Sequence, residues 1–262
     1  MRSRDLAPLG GVLVALLMAS AASADTTDGW YAAWDVGAHW DASSSKAHST
    51  GVKPNGLLAR WKFRSNTDWA GFARVGYKFN PNFRTELELG YRNGVISSIS
   101  GAGAAGSAAE PVGISGAKGH QNNWSGMVNL IYDFMPESHI HPFVGVGGGL
   151  DHLQIHTGGT FAVPASSQAL LASPEYFHAR GGRTQFAWQV LGGASAELSP
   201  QWAVDVTYRY LRADQEFASQ SIATGTGAPL DFGHFKRTLG DHSVTIGLRY
   251  AFAAPPSTCQ AN

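Results

Sequence analysis

Apolar residues alternate with polar or small residues along eight separate stretches of the chain. In the last of them, Val244, Ile246 and Leu248 share one face, while Thr245 and Arg249 lie on the other. A period of two residues is that of a β-strand, because successive side chains of a strand point to opposite faces. The other seven stretches lie near residues 34–40, 74–79, 83–92, 124–134, 144–151, 185–198 and 202–210. The pattern predicts an all-β chain of eight strands.

The connections between these strands are alternately short and long. Residues 80–82 and 199–201 are tight turns around a proline, and residues 135–140 make a slightly longer turn. The four long polar connections lie near 41–68, 93–121, 152–183 and 212–241. Short turns at one end and long loops at the other are typical of outer-membrane barrels. Four structureless loops of that length would be unusual in a soluble domain.

Alternation alone does not say which face of the sheet meets lipid. A soluble barrel of the lipocalin type would place its apolar face inside. Three features favour the inverted arrangement: aromatic residues at the strand ends, small residues on the polar face that suit a narrow lumen, and charges of both signs that can pair there. We therefore expect an eight-stranded, antiparallel, up-and-down transmembrane β-barrel. Four apolar residues are exceptions on the polar face: Phe72, Met127, Phe143 and Leu191.

The charged positions of the polar face form the candidate site. They are Asp35, Arg74, Lys78, Arg84, Glu86, Glu88, Arg92, Asp133, Asp151, Glu197, Asp205, Arg209 and Arg249. One interpretation is a gated polar path, in which Arg209 or Arg249 exchanges carboxylate partners. The other is a permanent plug of salt bridges. Side chains fill most of an eight-stranded interior, so the plug is favoured.

The composition also fits a membrane protein. Charged residues make up 15% of the chain, whereas soluble domains carry about 25%. The formal net charge is zero, which argues against a nucleic-acid-binding surface. No stretch of about 18 apolar residues follows the N-terminal region, so no transmembrane helix is expected.

The N-terminus has the pattern of an export signal. Two basic residues, Arg2 and Arg4, precede an apolar stretch, and small residues lead to a cleavage site between Ala24 and Asp25. We therefore expect a signal peptide over 1–24, the barrel over 25–252 and a short Pro-containing periplasmic tail over 253–262.

Three segments resemble the OmpA family of outer-membrane barrels. Residues 141–150, HPFVGVGGGL, are similar to the fifth strand of these barrels, and residues 186–212 share their strand, Ser-Pro turn and strand. The ending GLRYAF, with Gly247, Tyr250 and Phe252, resembles the closing-strand signal that the barrel assembly machinery reads. The resemblance implies a cell outer membrane location in a Gram-negative bacterium.

One departure from that family concerns the C-terminus. OmpA proteins often continue through a Pro-rich linker into a peptidoglycan-binding domain. Residues 253–259 look like the start of such a linker, and the sequence then stops at Asn262. We expect this chain alone to lack the cell-wall anchoring of that second domain.

Other motifs carry less weight. Residues 101–106 have the GxGxxG spacing of a dinucleotide fold, but no helix is predicted after them. His139, His141, His152 and His156 lack the further ligands of a metal site. The adjacent His242 and Ser243 would point to opposite faces of a strand, so they do not make a catalytic pair. We expect no cofactor, no metal and no enzymatic activity.

Two functions remain open, with a third as a remote alternative. The first is a structural and surface role, in envelope integrity and in adhesion or recognition through the long loops. The second is a small channel for ions or small molecules, in which Met127, Phe143 and Leu191 are the candidates for an apolar path. The remote alternative is a lipid A-modifying enzyme. The expected partners are outer-membrane lipid and lipopolysaccharide, the barrel assembly machinery and a surface ligand of the loops, with no nucleic acid. Trp61, Phe63 and Trp69 make the first loop aromatic; for Trp69 a place in the aromatic girdle is favoured over a partner surface.

Overall fold

The computed structural model describes residues 29–41, 46–52, 58–102, 111–161, 175–223 and 234–252. Eleven antiparallel strands occupy these ranges. They are β1 (Gly29–Asp41), β2 (Lys46–Val52), β3 (Leu58–Ser65), β4 (Asp68–Lys78), β5 (Phe83–Arg92), β6 (Val95–Ala102), β7 (Pro111–Asp133), β8 (Ile140–Phe161), β9 (Glu175–Glu197), β10 (Trp202–Ala223) and β11 (His234–Ala251). No helix in the described part of the chain is long and apolar enough to cross a membrane.

Eight of these strands close into a barrel at the end that carries the short turns. The order around this lower ring is β1-β4-β5-β7-β8-β9-β10-β11, and β11 pairs back onto β1. The closing register places Trp34 opposite Leu248 and Val36 opposite Ile246. Near the same end, the Phe252 amide donates to the Trp30 carbonyl oxygen at 2.8 Å. The eight-stranded antiparallel barrel predicted from the alternation is confirmed.

A second ring of eight strands stands on the first. Here β2, β3 and β6 replace β1, β4 and β5, and they fill the space between β11 and β7. The other five strands run through both rings, and β7 to β10 are 22 or 23 residues long. About ten residues suffice to cross a membrane, so each of these four strands continues well beyond it.

The prediction of four long loops is therefore wrong, because most of their described residues form strands. Within the described residues, most of the segments 41–68, 93–121, 152–183 and 212–241 are strands of the upper ring. Their polar residues alternate with apolar ones, but the apolar ones face the lumen. Overall polarity was a poor guide to secondary structure there, because a two-residue period holds in either phase.

Two belts of aromatic side chains mark the limits of the lower ring. In the lower belt, Tyr77 contacts Trp30 and Phe79, each with ring centroids 5.3 Å apart. The upper belt contains the series Trp69, Tyr91 and Trp124, with centroids 5.2 and 4.6 Å apart. Between the belts the outer surface is lined with exposed apolar side chains: Val36, Val75, Leu87, Val128, Val146, Val190, Val206 and Ile246. An apolar outer band between aromatic girdles is the pattern of a membrane-spanning barrel.

Candidate functional site

The lumen of the lower ring contains most of the charged side chains predicted to face it. The buried members are Asp35, Arg74, Arg84, Glu86, Glu88, Arg92, Asp133, Asp151, Asp205 and Arg209. Each lies at a position of its strand that alternates with the lipid-facing residues. The apolar outer face therefore fixes the direction of these side chains.

Arg74 lies at the centre of the ion pairs. Its guanidinium contacts three carboxylates, those of Asp35 at 2.7 Å, Glu86 at 2.8 Å and Asp205 at 3.0 Å. Asp35 also pairs with Arg209 at 2.5 Å through its other oxygen. These contacts join strands β1, β4, β5 and β10 in one network of charge-assisted hydrogen bonds, which are stronger than neutral ones.

Several of these bonds cross the lumen. Arg209 on β10 pairs with Glu88 on β5 at 2.9 Å, and these two strands are diametrically opposite in the ring of eight. Gln189 on β9 donates to Glu88 at 2.9 Å and to Asn129 at 2.8 Å. These contacts join opposite walls of the barrel at that height.

The lower part of the network ends near the mouth of the barrel. Arg84 pairs with Glu86 and Asp133, each at 3.0 Å, and the Tyr31 hydroxyl donates to Glu86 at 2.8 Å. Arg249 lies beside Asp205 with a longer contact of 3.5 Å.

Two of the predicted members lie outside the closed network. Lys78 is half-buried, and Glu197 is exposed at the last position of β9. Both line a small cavity at the lower mouth. For Glu197 the expected place inside the network is wrong, because solvent reaches the strand end there.

Several buried residues of the network were not among the predicted charges. Asp241 pairs with Arg92 at 3.1 Å and with His39 at 2.8 Å. Phe72, an exception in the sequence pattern, lies under two guanidinium groups, 4.3 Å from that of Arg209 and 4.9 Å from that of Arg92. Such cation–π contacts are favourable, so an aromatic side chain can lie on the charged face of the strand. The sequence pattern predicts a long loop at Asp241, but the residue belongs to β11 and keeps the two-residue phase of Ser243 and Thr245.

Glycines make room for these side chains. A Cβ atom on Gly247 would lie 1.8 Å from an Asp35 carboxylate oxygen, and one on Gly147 would lie 2.0 Å from the Asn129 amide oxygen. Neither strand could carry even an alanine there without moving a lumen side chain. Tyr250 and Phe252, also part of the predicted assembly signal, contact each other with ring centroids 5.4 Å apart at the lower end of the barrel.

The upper ring holds an apolar cluster instead of a charged network. The aromatic side chains of this cluster come from β3, β10 and β11. Phe63 contacts Phe217 with ring centroids 5.3 Å apart, and Trp61 contacts Phe235 with ring centroids 5.2 Å apart. The remaining members are Ala47, Ile96, Ile99, Leu153, Ile155 and Ala179. Trp61 and Phe63 are therefore interior residues, and neither a girdle nor a partner surface describes them. Trp69 is exposed in the upper belt, as its pattern favoured.

Met127, Phe143 and Leu191, the candidates for an apolar path, do not pack in one cluster. Phe143 and Leu191 pack with Ile131 in one cluster, while Met127 belongs to another with Ala187 and Leu211. The clusters remain separate from each other and from the aromatic cluster above. Within the described residues, the lumen therefore contains no continuous apolar route.

The remaining motifs are dispersed. His139 and His156 are exposed and His141 is buried; His242 contacts Tyr208 at 2.6 Å while Ser243 is buried on the other face. The described residues contain no group of three or more His, Cys, Asp or Glu placed to hold a metal ion. The signal-cleavage residues Ala24 and Asp25 lie outside the described residues. So do the tail at 253–262 and most of the GxGxxG motif, of which Gly101 belongs to β6.

Comparisons with known proteins agree with this barrel. The family of outer-membrane protein β-barrel domains matches residues 11–252. An outer membrane protein of Gluconacetobacter diazotrophicus is 27% identical over 206 residues, which cover 74% of this chain and 50% of that protein. An uncharacterised protein of Brucella abortus is 25% identical over 193 residues, covering 68% of this chain and 66% of that one. This chain thus spans about half of the length of the first relative and two thirds of the second.

The solved structures show the same fold at low sequence identity. The outer membrane protein OprG from Pseudomonas aeruginosa has a TM-score of 0.51 and 13% identity, with 86% of this chain and 97% of that chain covered. The matched family and the relative named as an outer membrane protein place this chain in the cell outer membrane. Short turns of such barrels face the periplasm, so the upper ring is extracellular. The chain belongs to the family of outer-membrane protein β-barrel domains, with the eight-stranded barrel of the OmpA type.

Proposed function

We propose that this protein is a closed structural barrel that supports the outer membrane and presents a rigid extracellular surface. The observation that carries the proposal is that side chains meet across the lumen at two heights. A charged network crosses the membrane-spanning ring from Arg209 to Glu88, and an aromatic cluster around Phe63 and Phe217 fills the ring above it.

The two closures differ in what would open them. The charged network would open if arginines exchanged carboxylate partners, a rearrangement for which Asp35 already offers two partners. The aromatic cluster would still block the lumen, because side chains in a packed interior leave few voids larger than a water molecule. Opening the barrel along its axis therefore requires two independent changes.

The extracellular ring supports the surface role. Its walls are hydrogen-bonded strands over most of their length, so it holds its outer side chains in fixed positions. On β8, His152, Gln154 and His156 alternate with the buried Leu153 and Ile155. A preformed polar surface loses little conformational entropy when it binds a partner.

Single-channel recording in planar lipid bilayers tests the proposal. We compare the wild type with a lower-ring variant (Arg209→Ala with Glu88→Ala), an upper-ring variant (Phe63→Ala with Phe217→Ala) and the combination of all four substitutions. Val206→Ala, on the lipid face of β10, is the matched control. Heat-dependent electrophoretic mobility shows which proteins have refolded.

The wild type, the control and both partial variants are expected to be silent, and only the combined variant to conduct. Regular current steps from the refolded wild type would overturn the closed barrel and favour the small channel. Steps from the lower-ring variant alone would show that the aromatic cluster does not close the barrel. Comparing a deletion strain for envelope permeability and surface binding tests the structural and surface role; if both stayed unchanged, that role would be lost.

A further inference from the structure

The strand pairing of the upper ring is interrupted between β9 and β10, and this interruption is called the opening below. The two strands pair without interruption up to Ala213 and Ala187, and pairing resumes only at Ala218 and Arg180. Six residues of β9 and four of β10 lie between these points. Gly181 has φ +144° at the upper edge of the opening, a conformation that glycine adopts readily.

The neighbouring strand pairs stay intact beside this gap. The same residues of β9 remain paired with β8, and those of β10 with β11. Across the gap, the only ion pair found among the described residues is a side-chain contact of 2.5 Å between Arg183 and Glu216. Since unpaired strand edges normally seek partners, a gap inside an otherwise continuous wall calls for an explanation.

A cavity of about 560 Å³ lies at the opening. It is lined by Gln185, Asp214, Gln215, Glu216, Lys236, Arg237 and Thr238. Gln215 and Arg237 are buried lumen residues, whereas Asp214, Lys236 and Thr238 are exposed. The lining therefore includes residues of both faces of the wall, and the volume of the cavity is in the range of small-molecule sites.

Arg237 differs from the other buried arginines of the lumen. Four of the five buried arginines form ion pairs: Arg74, Arg84, Arg92 and Arg209. Arg237 forms no ion pair with the described residues. Its Nε donates to Gln215 at 2.8 Å and its Nη2 to Gln121 at 2.6 Å, both neutral amide oxygens. Its Nη1 has no hydrogen-bond partner among them.

A buried charge without an opposite charge is costly. On β11, Arg237 lies five residues above His242, which pairs with Trp40 at the level of the upper belt, and so Arg237 is outside the membrane-spanning segment. Burial lowers the pKa of its guanidinium, and the more distant Asp41 and Asp151 offset this only in part. Arg237 is nevertheless charged at neutral pH, because an arginine side chain does not lose its proton in proteins.

We propose that this opening is a binding site for a small anion, whose carboxylate or phosphate group enters between β9 and β10 and pairs with the Arg237 guanidinium. The Arg237 Nη1 group is buried and has no hydrogen-bond partner among the described residues, and the fork geometry of arginine suits either oxyanion. Entry from the side is compatible with a lumen that is closed along its axis, so the proposed site does not depend on the proposed structural role. The oxyanion comes either from a free solute or from a membrane lipid whose phosphates lie just above the upper belt.

Calorimetric titration of the full refolded protein in detergent micelles tests the site. The probes are sodium succinate and inorganic phosphate at neutral pH. Titrations run on the wild type, on Arg237→Gln and on the matched control Arg212→Gln, an exposed arginine of β10. We expect saturable binding to the wild type and the control, and a loss of affinity of at least about tenfold in Arg237→Gln.

The same variants distinguish binding from folding. Arg237→Gln removes a buried charge without an ion-pair partner, so its resistance to urea without anion should equal or exceed that of the wild type. Added phosphate should stabilise the wild type and the control, and not Arg237→Gln. A wild type that binds neither probe nor lipopolysaccharide, or equal binding by Arg237→Gln, would overturn the proposal. Nanodiscs with and without lipopolysaccharide identify the source: binding of lipopolysaccharide alone, dependent on Arg237, assigns the site to a lipid headgroup.

Access from outside is tested by labelling in cells. With Cys259 replaced by Ser, we compare Gln185→Cys, which lines the opening, with Ala187→Cys, a fully buried position just below it. A membrane-impermeant maleimide should label the first and not the second. Protection of Gln185→Cys would show that the wall is closed and would contradict the proposal.

Discussion

The two rings of this barrel share five strands but have opposite polarity. In the lower ring β10 turns Val206 and Tyr208 outward, and Asp205, Thr207 and Arg209 inward. A few residues higher on the same strand, the buried side chains are Leu211, Ala213 and Phe217, and the outward ones are Arg212, Asp214 and Glu216. The phase of burial does not change, since odd positions face the lumen throughout. Only the chemistry of the two faces is exchanged.

The exchange follows the surroundings of the barrel. Around the lower ring the solvent is hydrocarbon, so apolar side chains gain nothing by lying inside and polar ones must be satisfied in the lumen. Around the upper ring the solvent is water, and burial of apolar side chains stabilises the fold as in a soluble barrel. The upper aromatic belt lies where the exchange occurs, as expected for residues that prefer an interface.

The largest expected effect comes from breaking the charged network in the lower ring. Arg74→Ala leaves Asp35, Glu86 and Asp205 buried without their shared cation, and we expect a loss of about 3–5 kcal/mol in the free energy of unfolding. Arg212→Ala, on the outer surface of the upper ring, should change it by less than about 0.5 kcal/mol. Urea unfolding in lipid vesicles measures both. Equal effects would show that the lumen charges do not hold the barrel together.

The next effect concerns the aromatic core of the upper ring. Phe63→Ala removes a fully buried ring from contact with Phe217 and Phe235 and should cost about 3–5 kcal/mol locally. Because the loss is confined to the upper ring, amide hydrogen exchange should accelerate in β3 and β6 while β4 and β5 stay protected. Leu87→Ala, on the lipid face, is the control that should leave β3 and β6 unchanged. Uniform acceleration through both rings would show that they unfold as one unit.

An arginine placed on the outer face of each ring compares the surroundings of the two rings directly. Val146 and Gln154 lie on the same strand and the same face, one in each ring. Val146→Arg should destabilise the barrel by about 2–4 kcal/mol, since arginine is costly near the middle of the bilayer. Gln154→Arg should be neutral in water. A similar penalty at both positions in the same vesicle assay would place the two rings in the same solvent.

The smallest expected effect is at the contact that crosses the opening in the wall. Arg183 is more than half exposed, so its ion pair with Glu216 is screened by solvent. Arg183→Gln should lower the free energy of unfolding by no more than about 0.5 kcal/mol. Increasing salt should weaken the wild type and leave this variant unchanged. A loss above about 2 kcal/mol would mean that this pair holds the two strands together.

The sequence predicted the lower ring well because one face of each strand is uniformly apolar there. The pattern Val244, Ile246, Leu248 both revealed a strand and placed Thr245 inside. The upper ring was missed for a physical reason. In β8 the apolar residues shift from Val146 and Leu150 to Leu153 and Ile155, so the alternation continues in the other phase and looks like a polar connection.

The site residues of the lower ring could be predicted from the sequence, and those of the upper ring could not. Lumen charges between the belts, such as Arg74 and Glu88, follow from their alternation with lipid-facing residues. Asp241 and Arg237 required knowledge that β11 begins before residue 242. Partners across the lumen, such as Glu88 for Arg209, depend on which strands face each other in the closed ring. The alternation within one strand does not predict which strand lies opposite it.

Accessibility along β8 tests the exchange of polarity most directly. In a Cys259→Ser background, single cysteines replace Val146 and His156 on the outer face and Ile155 on the lumen face, and each carries a fluorescent label or is challenged with a soluble maleimide. We expect the label at 146 to be quenched by lipid-attached nitroxide, the cysteine at 156 to react rapidly from water, and the cysteine at 155 to be protected. If the cysteines at 155 and 156 reacted equally fast, the upper segments would be loops, and the account of two opposed rings would be wrong.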